Sequence, residues 1–132
     1  MISVQLIPVA TATSQELLVE FSERFCQELD IINIERATAV ITFTQAGTTR
    51  VINGAAVATI VATLTVTVPV GSCGCAKPYV YTETFDVAFT ATGTNTVALA
   101  PGVLNLKYPA HLTKCGKASG VKVTTTLTAT IA

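Results

Sequence analysis

The chain has no tryptophan, a single histidine and a single methionine, and only 12% of its 132 residues are charged. That charged fraction is about half of what a soluble domain normally carries. So few ionisable side chains leave little from which to assemble the convergent His, Asp and Glu sets of acid–base catalysis. A glycine-rich phosphate loop, a dinucleotide fingerprint, a paired-histidine metalloprotease helix and a calcium loop are all missing from the sequence. An enzyme is therefore not expected. Threonines at 59 and 63 interrupt the longest apolar stretch, residues 55–64. It falls short of the ~18 to 20 residues of a membrane-spanning helix, so a membrane partner is not expected either. Early Lys and Arg are lacking too, and Gln5 and Pro8 break the first apolar stretch. This is a poor fit to a secretory signal and points to synthesis in the cytoplasm.

What is present is aliphatic and β-branched. Half of the residues are apolar, and threonine alternates with Val, Ile, Leu or Ala through residues 59–70 and 122–131. Such residues suit a pleated, half-buried surface. A strand edge with neither Lys, Glu nor Pro invites another chain to pair with it, so the composition predicts strands that neighbours cover.

Period-two alternation predicts strands over residues 2–9, 37–45, 56–68, 79–91, 96–100 and 121–131. The fourth of these places Tyr79, Tyr81, Phe85, Val87 and Phe89 on one face, and Thr82, Thr84, Asp86 and Thr90 on the other. Asn53-Gly54 is a hairpin signal, since both residues tolerate the positive φ of a type I′ turn. Residues 71–78 and 101–120 read as loops. A helix is predicted over about residues 14–30, opened by a capping box of Thr13 and Glu16, with Leu17, Leu18, Phe21, Phe25 and Leu29 on one face. A competing reading makes residues 17–25 a strand, because Val19, Phe21 and Phe25 also alternate in part. The expected fold is mainly β: one domain spanning residues 1–132, an antiparallel β-sandwich or small barrel with one N-terminal helix packed on a sheet.

Four cysteines in a reducing compartment suggest thiols or metal ligands before a disulfide framework. Cys73, Cys75 and Cys115 with His111 have the ligand types and number of a closed tetrahedral zinc site, flanked by glycines that let the backbone curl. One residue between Cys73 and Cys75 is tighter than the usual knuckle spacing of two to four. Free loop thiols, or a disulfide from Cys115 to Cys73 or Cys75, are the competing readings. Structural zinc is thus the one cofactor the residues suggest. Cys26 reads as a buried small hydrophobe.

Charge is balanced, eight basic against eight acidic residues, but unevenly placed. The acids Glu16, Glu20, Glu23, Glu28, Asp30 and Glu35 dominate the first 36 residues, and every charge after Asp86 is a lysine. This suggests either two solvated faces or head-to-tail contact between subunits. Lys107, Lys114, Lys117 and Lys122 around Tyr108 contain no arginine, so nucleic acid is not an expected partner.

The uncharged strand Ala62-Thr63-Leu64-Thr65-Val66-Thr67-Val68, together with low charge and the lack of a catalytic set, resembles in character the small virion proteins of tailed phages. The resemblance implies a structural assembly subunit in capsid decoration, a head-to-tail connector or a tail. Such a subunit would contact copies of itself and other structural subunits before incorporation into a virion. A binding module stapled by metal or thiols, and a surface adhesion domain, are the alternatives from other classes.

Overall fold

The computed structural model describes residues 2–7, 14–70, 75–89, 97–102, 106–112 and 116–131. In chain order the elements are β1 (Ile2–Ile7), β2 (Ser14–Asp30), α1 (Ile31–Glu35), β3 (Thr38–Gln45), β4 (Arg50–Ile52), β5 (Ala55–Val70), β6 (Cys75–Phe89), β7 (Val97–Pro101), β8 (Leu106–Leu112) and β9 (Lys117–Ile131). All pairings are antiparallel and form two sheets. In one sheet β1, β2 and β9 lie side by side, and β7 and β8 follow one another along the far edge of β9. In the other, β5 is central, with β6 along one edge and β3 then β4 along the other.

The predicted helix over about 14–30 is not formed: those residues are β2, and the helix is confined to Ile31–Glu35. The physical reason lies in the spacing. Leu17, Phe21, Phe25 and Leu29 are four apart, an even interval, so they share one face of a strand as readily as one face of a helix. The discriminating residues are Val19, which is fully buried, and Leu18, which is exposed. Pairing with β1 on one side and with β9 along most of its length decides the outcome. Thr13, the proposed cap, lies outside the described residues; Glu16 stands on β2 opposite Thr128.

Three loop boundaries also move. Lys77 and Pro78 belong to β6, and the stretch read as irregular contains β8 and the start of β9. The short strand after residue 96 pairs with β9 in the opposite sheet, not with the strand preceding it. The β4–β5 hairpin forms as predicted, with Asn53 at φ 51° and Gly54 at φ 80°. Gly54→Ala should therefore cost about 1 kcal/mol by forcing a Cβ into the left-handed region. A thermal melt should show a drop of a few degrees.

The inner faces of the two sheets supply one buried cluster, including Leu17, Val19 and Phe21 of β2, Ile60 and Leu64 of β5, and Val123 and Leu127 of β9. Thr125 is a buried polar exception, and its hydroxyl donates to the Gly102 carbonyl at 3.2 Å. Gly102 in turn donates its N–H to the Thr126 carbonyl at 2.7 Å. A Cβ at Gly102 would fall on Thr126 Oγ1, so the junction between β7 and β8 accepts only glycine without rearrangement. Among the described residues no helix is long and apolar enough to cross a membrane.

Candidate functional site

The two strands whose lack of charge suggested outside cover, β5 and β9, are both central, with each edge paired inside the chain. Their backbone groups are satisfied by β3, β4 and β6 in one case and by β2, β7 and β8 in the other. What remains open is the outer surface of the β5 sheet. Register places Thr38, Thr67 and Pro78 in one row across it, then Val40, Thr65 and Val80, then Thr42, Thr63 and Thr82, then Thr44, Val61 and Thr84. These twelve positions hold eight threonines, three valines, one proline and no charge. Val40 is 57% exposed and Val80 61%.

The sequence builds this face by alternation. Odd residues of β3 and β6 and even residues of β5 turn inward, leaving Thr and Val at the alternate positions. At one end of the face Asp86 closes the array, accepting a hydrogen bond from the Thr59 hydroxyl at 2.8 Å and pairing with Arg50 at 3.3 Å. Both ion-pair partners are more than half exposed, so the pair contributes little to stability.

The opposite surface, the outer face of the β2 sheet, is ordinary by comparison. It carries Thr124, Thr126, Thr128 and Thr130, but beside them stand Glu16, Glu20, Arg24 and Lys122. A cavity of about 90 Å³ lined by Ser3, Gln5, Leu18 and Glu20 lies on it. That is well below the ~300 Å³ at which small-molecule sites begin. The acidic β2 lies beside β9, which carries Lys117 and Lys122. Asp30 meets Lys117 at 3.1 Å within one chain, and Ser22 stands opposite Lys122.

Of the four proposed zinc ligands, Cys73 and Cys115 lie outside the described residues. Cys75 opens β6 and His111 stands near the end of β8, and for these two the structure describes only the backbone. Both strand ends lie toward the α1 end of the fold, where Ile31 N–H donates to the Gly116 carbonyl at 3.0 Å. Among the described residues no group of three or more His, Cys, Asp or Glu is placed to hold a metal ion. The Cys26 side chain and Lys114 are likewise outside the described set, and Lys117 is engaged by Asp30.

Tyr79 and Tyr81 face inward, as their alternation predicted, and pack against Phe25 with centroids at 4.5 and 6.5 Å. The uncharged face was foreshadowed in the threonine alternation, but which strands share it was not, since register comes from pairing. No family model matches the chain, nor does any curated protein or solved structure.

Proposed function

We propose that the chain is a β-sandwich subunit of a larger protein assembly that docks onto neighbouring subunits through the outer face of the β5 sheet. The observation that carries this is the uncharged array of twelve Thr, Val and Pro positions on one face of a domain whose other face is charged. Threonine hydroxyls can hydrogen-bond across an interface, and burying them avoids the several kcal/mol that each unpaired charge would cost. The setting that fits is the one implied by the compositional resemblance, a phage virion with the chain as decoration, connector or tail subunit.

Size refines the reading. Three strands about 4.8 Å apart and eight residues long at about 3.3 Å each give a patch on the order of 350 Å². A stable interface takes about 800 Å² per partner. The face by itself therefore supports a contact that assembly multiplies, not a tight isolated dimer.

Sedimentation of the untagged chain tests this, with Thr63→Lys/Thr65→Lys as the comparison. The double variant should melt within about 1 kcal/mol of the parent, because both side chains point outward. Its self-association should be weakened by about a hundredfold or more, corresponding to roughly 3 kcal/mol of lost interface. A parent chain that stays monomeric at every concentration reached would overturn docking between copies.

A second reading, a metal-stapled module, is favoured by the common location of the strand ends bearing Cys75 and His111. Native mass spectrometry with and without chelator tests it, and a chain whose mass does not change would remove it.

A further inference from the structure

The two sheets differ in width. The β2 sheet has four strand positions and the β5 sheet three, counting β7 with β8 and β3 with β4 as single edges. Contacts between the sheets show which position lacks a counterpart. The Tyr81 hydroxyl donates to the Arg24 carbonyl at 3.1 Å, and Gln15 Nε2 donates to the Ala88 carbonyl at 3.3 Å, so β6 lies over β2. At the other margin Val97 N–H donates to Gln45 Oε1 at 2.9 Å, setting β3 over β7. Among the described strands none lies above β1, and its inward-facing Ile2 and Val4 are half-buried against the core.

The edge of β6 that no described strand pairs borders that position, and at its far end the outward Ala88 carbonyl is taken by Gln15 Nε2. Ala46 N–H donates to the Thr59 carbonyl at 2.8 Å, which directs the backbone groups of Thr59 toward β3 and away from β6. Asp86, opposite Thr59, must then point its own N–H and C=O outward, and alternation gives Val80, Thr82 and Thr84 the same direction. Pro78 agrees with this parity, for its missing N–H falls on the outward side where the sheet loses nothing. From Tyr79 to Phe89 the edge has no further proline, and its only charges are Glu83 and Asp86.

We infer that the position beside β6 and above β1 receives one extended strand from another polypeptide, which completes the β5 sheet. A second whole copy joined edge to edge is excluded by geometry. Its own β2, lying beneath its β6, would occupy the place of β1. A lone strand fits, being about 4.8 Å from β6 and about 10 Å above β1. Its chemistry follows from its surroundings: apolar side chains at alternate positions to cover Ile2 and Val4, and uncharged ones between them to continue the threonine face. This goes beyond docking through the face, because it uses an edge that the Thr63→Lys/Thr65→Lys exchange described above does not touch.

The probe is the peptide acetyl-Thr-Val-Thr-Lys-Thr-Val-Thr-amide, added to the ¹⁵N-labelled full chain with amide hydrogen exchange as the readout. Exchange at Val80, Thr82, Thr84 and Asp86 should slow by about tenfold or more as those N–H groups acquire partners. The same peptide N-methylated at its threonines, whose N–H groups face β6 when the valines point inward, should give no protection. Thr84→Pro, which removes an outward donor, should abolish binding while β5 pairing persists. No slowing with the unmodified peptide, or equal slowing with the methylated one, would overturn the inference. Protection retained in Thr63→Lys/Thr65→Lys, with self-association lost, would support a strand site separate from the docking face.

Discussion

Phe21→Ala is expected to lower the unfolding free energy by about 3 to 5 kcal/mol. Phe21 is fully buried at the centre of β2, between Ile2 of β1 and Val123 of β9, and its ring reaches the core shared by both sheets. Truncation removes the transfer energy of the ring and leaves a cavity that flanking strands, held by their ladders, cannot close. Against a total stability of roughly 5 to 15 kcal/mol, that is about a fifth of the fold or more. Urea denaturation monitored by circular dichroism measures it directly. The same titration discriminates strand from helix at β2. Val19→Ala should cost well over 1 kcal/mol and Leu18→Ala under about 1, because Val19 faces the core and Leu18 the solvent. A helix with its apolar face at Leu17, Leu18 and Phe21 would reverse the order.

The other large effect is expected from Val19→Pro. Val19 pairs with Val4 on one side and Thr125 on the other, so β2 has no free edge at this point. Proline removes a ladder donor and fixes φ near −65°, away from the extended value, at a cost of about 3 kcal/mol or more. The variant should populate unfolded chain at temperatures where the parent is native. Pro78 is the internal control, since the same residue is accommodated on the outer side of β6. If Val19→Pro melted like the parent, β2 could not be an interior strand.

The comparison between these two prolines shows how much of the molecule is legible in order along the chain. Alternation in residues 37–45, 56–68 and 79–91 identifies β3, β5 and β6 and the faces they bury, because burial of one face requires period two. Asn53-Gly54 identifies its hairpin because few residues accept positive φ. Residues 14–30 mislead for a physical reason: a spacing of four is common to both periods, so Leu17, Phe21, Phe25 and Leu29 carry no information about which one applies. Glu23 adds to the error, since a carboxylate that is nearly buried in the structure looks, in sequence, like one side of a polar helical stripe. Residues 106–112 escape detection because Pro109 and Lys107 blunt the strand pattern, as is common on an edge.

The candidate site divides in the same way. Composition alone established that this is a charge-poor, β-rich chain with an unusual supply of threonine for its surfaces, for side-chain chemistry sets strand propensity and desolvation cost locally. Only the tertiary structure decided that β5 and β9 are central and protected, that the acidic β2 lies beside β9 with Asp30 paired to Lys117, and that one sheet is a strand narrower than the other. Those outcomes depend on which strands pair, a choice made by contacts between residues up to 116 positions apart, as between Ser14 and Thr130. Local alternation determines how each strand divides its two faces, but its neighbours are selected by the free energy of the whole core.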